Sequence, residues 1–380
     1  MKTISFKITF QITAVLIVSL LFVNCNNKSS TEDEIDIIAV EFPEKPNNNL
    51  ISENLTLSNI VALETVDASL IKHIKKIIRH NDKLIILNAG VEVLIFDKDG
   101  KFLHKINKRG NGPNEYTNIV DISMDDSNGN IIVYSDNYKL LFFDLVGNYV
   151  SQVNSIAKDN IYERIVYDKN LLYFFNPLNR KDVNLFKTFD LKKNEYKDNF
   201  HIDKSIDLML RPMGVSIVKS KAIWYVAPLS NLLSNISQQK KYRIDIEDFG
   251  VPQEIINLQY EDQNKFMKEV YDNKLCFGLS SIRETNQSLY FRSNRHAFIK
   301  LDKKDKHIEW MQYGVDSENN IKNINYFPHE ADDNEIIFIA KSDSFEDLDL
   351  VIENNPSTEQ HTKNMQKEEI NPILIFYKEK

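Results

Sequence analysis

Residues 84–106, LIILNAGVEVLIFDKDGKFLHKI, recur as residues 131–153, IIVYSDNYKLLFFDLVGNYVSQV. Five of the 23 paired positions are identical: Ile85/Ile132, Leu94/Leu141, Phe96/Phe143, Asp97/Asp144 and Gly100/Gly147. Half of the remaining pairs set an apolar residue against an apolar one. A period of 47 residues built from short β-type runs marks a blade array, in which one unit cannot bury its own face and must stack on its neighbours.

Working outward gives four strands per blade. Blade two reads as 119–125, 130–136, 139–145 and 148–154, with DDSNG, DN and VG turns between them. Blade one reads as 71–79, 83–88, 93–97 and 101–107. Blade three follows at 162–167, 171–176, 183–190 and 195–200, where Phe189-Asp190 echoes Phe143-Asp144. Blade four is expected at about 214–219, 222–227, 231–237 and 241–247, and blade five at 280–284, 288–293, 297–302 and 306–312. A sixth has 327–332, 335–341 and 373–379 but no fourth strand at the C-terminus. The apolar run Asn59–Leu63 is unassigned and is expected to supply it, so that the ring closes without a free edge. The fold class is therefore all-β, a six-bladed β-propeller over 55–380 closed by an N-terminal strand.

The first 24 residues read as an export signal. Lys2 and Lys7 precede an apolar stretch, Phe10 to Val23, that is short for a membrane span and stops before a cysteine. Leu21-Phe22-Val23-Asn24-Cys25 is similar to a bacterial lipobox, which would make Cys25 the lipid-attachment residue and the membrane a partner through two acyl chains. Residues 25–54 then form a tether, with a strand-like run at Ile35–Phe42. The formal charge is −8, and loss of Lys2 and Lys7 with the signal makes it −10. An acidic chain with no basic tract argues against a nucleic-acid partner. Cys276 is the one remaining cysteine and reads as a small buried residue.

The runs LETVDASLIKHIKKI and VLIFDKDGKFLHKI, the connector Gly110-Asn111-Gly112-Pro113-Asn114-Glu115-Tyr116 and the later KYRIDIEDFGVP together resemble the six-bladed propeller lipoproteins of Gram-negative envelopes, distant kin of NHL-repeat propellers. The resemblance implies the fold and a lipid-anchored outer-membrane location. That family carries no established catalytic residues, so it transfers none.

Strand direction alternates within a blade, so the connections sort onto two faces. First-to-second and third-to-fourth turns are short, as at Asn81-Asp82, Asp99-Gly100 and Val146-Gly147. The insertions at about 201–213, 250–279, 314–326 and 342–371 all belong to the other set, two of them with short helices at 262–273 and 357–369. Long loops gathered on one face suit a binding surface. Candidate ligand contacts follow from that placement. Asn88, Asp136 and Asn176 end second strands, and Asn294 follows one, so they could ring the channel mouth and hold calcium or a substrate; the alternative is that they cap backbone turns. Arg109 could meet an anion, and Tyr116 and Tyr326 could stack on a sugar or simply pack. Arg211 and Arg295 lie in or beside the long loops and complete the set. The histidines are scattered, with His201, His296, His329 and His361 near that face, and no zinc spacing, phosphate loop or Gly-x-Ser-x-Gly elbow occurs. No resident cofactor is implied beyond that calcium option. These features point to a non-catalytic binding or assembly module for a glycan, a peptide or an envelope protein; the rival is a hydrolase or lyase with its site at the channel mouth.

Overall fold

Strands that read as unbroken apolar runs do so because both of their faces are buried. In Lys83–Asn88, Ile85 and Leu87 point into one core while Leu84 and Ile86 point into the next. The period of two along a strand thus divides a single run between two neighbouring blades. Such interblade cores recur around the molecule, between blades one and two, two and three, three and four, four and five, five and six, and six and one.

The computed structural model describes residues 35–40, 51–159, 162–176, 185–200, 217–227, 229–236, 240–246, 249–294, 298–311, 314–316, 318–319, 321–324, 327–332, 334–345 and 371–380. Asp36–Lys380 is one compact unit; of the separate unit Met1–Ile35 only Ile35 is described. The unit is a six-bladed β-propeller of four-stranded antiparallel blades. From the axis outward, blade one is Ile74–His80, Lys83–Asn88, Glu92–Asp97 and Phe102–Ile106, and blade two is Ile119–Asp125, Asn130–Ser135, Leu140–Phe143 and Tyr149–Val153. Blade three begins with Arg164–Asp168, blade four with Ile217–Lys219, blade five with Leu279–Glu284 and blade six with Glu330–Ala331.

Ring closure follows the sequence expectation. Leu55–Ala62 is the outermost strand of blade six and pairs antiparallel with the C-terminal strand Ile373–Glu379, from Leu55 opposite Glu379 to Ala62 opposite Ile373. One strand-like run had no assigned place in the ring, and one hairpin had no signal. Ile35–Val40 is a fifth strand on the outer edge of blade four, where Ile38 enters the core between blades four and five and Asp36 Oδ2 lies 3.1 Å from Lys306 Nζ. A separate hairpin, Gly314–Asp316 with Ile321–Ile324, occupies the link between blades five and six and packs Ile321 and Ile324 into the adjoining core.

The repeated Phe-Asp-x-x-Gly segment is a turn device. Asp97 Oδ1 accepts from the backbone N–H groups of Asp99 and Lys101 at 3.0 and 2.8 Å, and Asp144 Oδ1 does the same for Val146 and Asn148. The turn closes through Gly100 and Gly147 at φ of +88° and +86°, where a side chain would be strained. Asp190 and Asp302 repeat the carboxylate clamp in blades three and five. The connector Gly110–Tyr116 is likewise structural. A Cβ on Gly110 would collide with the Glu115 carboxylate, which accepts from Gly112 N at 2.7 Å.

The link between blades four and five carries α1, Gln253–Glu261, and α2, Gln263–Asp272. Asp262 caps α2 by accepting from Asn264 N and Lys265 N, and Phe266 and Val270 join Ile256, Leu275 and Phe277 in a small satellite core. The sequence reading found α2 and missed α1. No helix among the described residues is long and apolar enough to cross a membrane.

Candidate functional site

The innermost strand of each blade is an edge strand, with one row of backbone N–H and C=O groups unpaired by any sheet neighbour. Side chains from adjacent blades satisfy part of that row. Asp121 of blade two is fully buried and accepts from Ile165 N of blade three at 2.8 Å, and Ser123 Oγ accepts from Tyr167 N at 3.0 Å. Lys76 of blade one donates to Asp121 at 2.9 Å and to the carbonyls of Ile122 and Ile165 at 2.6 and 3.3 Å. Arg164 Nη1 lies 3.3 Å from the other Asp121 oxygen. On the far side, Arg283 of blade five donates from Nε to the His329 carbonyl at 2.9 Å and from Nη1 to its neighbour Ile282 at 2.7 Å. Charged side chains therefore bind the blades together around the axis.

They also line a cavity of about 300 Å³ in the channel. Its walls hold seven Lys and Arg side chains against three carboxylates, those of Asp126, Glu330 and Asp332. For a protein whose formal charge is −8, this is a local reversal of sign. The mouth on the short-turn side is ion-paired: Arg79 contacts Asp332 and Glu335, and Lys219 lies 2.6 Å from Asp126 and 3.6 Å from Asp168. Deeper in, burial holds Lys76 below the usual lysine range, with Asp121 opposing. Burial also raises the Glu330 carboxyl, although Arg283 and Lys76 pull it down. Burial, with Arg283 and His73 adding to it, lowers His329 to about 3, so its ring is neutral at physiological pH. His329 Nε2 is shielded from solvent without a hydrogen-bond partner among the described residues, and only one Glu330 oxygen is engaged, accepting from Ala331 N at 3.0 Å.

Those of the residues singled out from sequence that the structure describes lie elsewhere. Asn88 is buried, accepts from Lys72 N at 2.9 Å and donates to the Leu70 carbonyl at 2.9 Å. Asn294 accepts from Phe277 N and donates to the Leu275 carbonyl, both at 2.8 Å. Asp136 accepts from Asn118 N at 3.1 Å and Asn118 Nδ2 at 2.7 Å, and also from the Thr117 hydroxyl. Burial raises its carboxyl, but these bonds outweigh that and hold it below the ordinary range. Each of the three pins the link that leads into its own blade. Asn176 occupies the same position in blade three and is buried. Among the described residues no group of three or more His, Cys, Asp or Glu side chains is placed to hold a metal. Arg109 reaches the Thr117 carbonyl and Asn118 Oδ1 at 3.1 and 3.2 Å. Tyr116 is buried between blades one and two, its hydroxyl 3.1 Å from the carbonyls of Val91 and Ile106, and burial pushes it up to about 12. Cys25, Arg211, Arg295, Tyr326 and the expected helix at 357–369 lie outside the described residues. Of the charged and polar groups at the cavity, sequence reasoning had noted only His329. Strands such as IKKIIRH and LSSIRE carry the signal, a cation within an innermost strand.

The chain belongs to the family described as a domain of unknown function, DUF4934, which it matches over residues 34–378. Among solved structures it is similar to a Bacteroides fragilis protein provisionally described as exported. The two are 16% identical, the match covers 90% of this chain and 99% of that one, and the TM-score is 0.68. A member of the DUF4221 family from Bacteroides vulgatus, 13% identical, matches over 86% of this chain and 97% of that one with a TM-score of 0.53. Both likenesses are likenesses of fold. Among curated proteins, the chain is 25% identical over 186 residues to Probable polyketide synthase 14 of Dictyostelium discoideum, a stretch that spans 43% of this chain and 6% of that protein.

Proposed function

We propose that the chain is an exported, lipid-anchored propeller of the cell envelope, NHL-like in its repeat, that acts as a non-catalytic binding module for a glycan, peptide or protein partner. The observation that carries the binding role is the channel cavity, to which side chains of all six blades contribute. A cavity at the low end of the ligand-site size range, with an apolar wall and a few convergent polar groups, is the usual form of a binding pocket. Most of its charged groups are already committed: the Lys76 ammonium has three acceptors and Arg283 is spent on carbonyls. Committed groups hold shape and field, which suits recognition better than proton transfer.

Export is supported by Lys2, Lys7 and the apolar run before Cys25, and agrees with the description of the Bacteroides fragilis relative in fold. An outer-membrane lipoprotein with Cys25 acylated takes up labelled palmitate, and the Cys25→Ser chain does not. Crosslinking in intact envelopes, with protease shaving to decide the side, tests the binding role. Recovery of the same proteins with the ring intact and with the cavity blocked would sink it. One observation favours a second reading, a hydrolase or lyase in the channel: Glu330 has a raised carboxyl with an uncommitted oxygen beside a neutral His329. Turnover of a bound saccharide that is lost in Glu330→Gln would establish that reading instead.

A further inference from the structure

The geometry points to a ligand of one chemical class for the channel cavity: a small hydroxylated carboxylate, the size of one or two sugar rings, as in a uronic acid. This deepens the binding role proposed above and rests on it. Four observations carry it. First, apart from the ion-paired mouth, the cavity sets Lys75, Lys76, Arg164 and Arg283 against Glu330 and the adjoining Asp121, leaving it net positive. Second, Lys76 spends its three hydrogens on Asp121 and two backbone carbonyls, and Arg283 is turned onto the His329 and Ile282 carbonyls, so both contribute mainly charge.

Third, Arg164 is different. Its only polar contact among the described residues is Nη1 to Asp121, which leaves Nε and Nη2, one side of the guanidinium fork, for a ligand. Two adjacent N–H groups on a rigid plane match a carboxylate bidentately, and the partly buried setting strengthens such a pair. Fourth, the remaining uncommitted atom suits a hydroxyl. The free Glu330 oxygen accepts, and Val218 and Ala331 offer an apolar wall to C–H faces. The cavity has no Phe, Tyr or Trp among its described lining residues, so recognition here works through charge and hydrogen bonds rather than ring stacking. A net excess of two positive charges suits a monoanion.

The test is calorimetric titration of the full chain with galacturonate and glucuronate and their short oligomers, run beside galactose, glucose and glucose 6-phosphate. The uronates are expected to bind, more weakly as salt is raised, and better than the neutral sugars or the phosphate. Arg164→Gln should weaken them at least about tenfold, the usual worth of a lost charge-assisted pair. Because Arg164 also holds Asp121, that variant could fail to fold, so Lys75→Gln provides the second arm. Lys75 has no hydrogen bond among those described, and its loss should weaken uronates roughly twofold to fivefold at unchanged stability. Neutral sugars binding as well as uronates, with both variants silent, would overturn the carboxylate assignment yet leave the binding module standing. Tighter binding of the phosphate would overturn it in favour of a different anion. Failure of every sugar to bind also overturns it, and the envelope crosslinking then decides the module separately.

Discussion

Asp121→Ala tests whether the charged ring holds the blades together. Asp121 is fully buried and joins three blades, accepting from Lys76 at 2.9 Å, from Arg164 at 3.3 Å and from Ile165 N at 2.8 Å. Removing one member of a buried ion pair costs about 3–5 kcal/mol, because the charge left behind is uncompensated. Lys76 and Arg164 each keep 22% side-chain exposure, so water screens part of that, and the lower end, about 3 kcal/mol, applies. An unfolding entropy of about 2.1 cal/mol/K per residue gives the propeller unit about 0.7 kcal/mol/K, and the expected fall in Tm is about 4 °C. Asp121→Asn keeps an acceptor for Ile165 N but loses the charge, and should fall about half as far. A double-mutant cycle with Lys76→Met should return a coupling of about 1 kcal/mol or more. The assay is scanning calorimetry of the full chain. If Asp121→Ala melts within about 1 °C of the parent, the reasoning fails, since the carboxylate would then be holding nothing that water cannot replace.

Other expectations concern the clamps, the extra strand and the channel histidine. Asn88→Ala orphans the Lys72 amide and the Leu70 carbonyl, and should cost about 1–3 kcal/mol with faster hydrogen exchange at 70–73; unchanged exchange there would count against the clamp. Ile38→Lys puts a charge into the core between blades four and five, so the outer edge of blade four at Lys241–Ile246 should lose exchange protection. Closure runs through Leu55–Ala62, so the rest of the ring should stay protected, and global unfolding would contradict that division. His329 is depressed to about 3 against an ordinary 6.5, so between those values the unfolded chain binds a proton that the native chain does not. Stability should therefore fall as pH drops through that window, by at most about 1.4 kcal/mol per pH unit from this group. His329→Gln should flatten that slope in denaturant titrations at pH 4, 5 and 6, and an unchanged slope would place the proton uptake elsewhere.

The repeat was legible because turn chemistry and two-sided burial both leave marks in a linear sequence. Phe96-Asp97 and Phe143-Asp144 record a carboxylate that must accept from its own turn, and the doubly buried strands record the interblade cores. Closure by the N-terminus was legible by elimination, since blade six lacked one partner. The fifth strand of blade four was not assignable, because Ile35–Val40 looks the same whether it pairs or hangs free, and its partner Lys241–Ile246 is some 200 residues away. The Asx positions were found by their recurrence, but recurrence does not say which way a side chain points. Asn88, Asp136 and Asn294 turn out to pin the links into their own blades. The channel site was not assembled for the opposite reason, although single cations within first strands were there to read. Lys76, Asp121, Arg164, Arg283 and Glu330 share no motif and meet only because the ring brings distant first strands onto one axis.

The central claim is that the ligand sits on that axis, and hydrogen exchange of the full chain with and without galacturonate oligomers measures it most directly. The account predicts added protection in the innermost strands, Ile74–His80, Arg164–Asp168 and Leu279–Glu284, with the outer strands Tyr149–Val153 and Ile308–Met311 unchanged. Protection confined to outer strands or to the helices Gln253–Glu261 and Gln263–Asp272, with the inner strands silent, would contradict it.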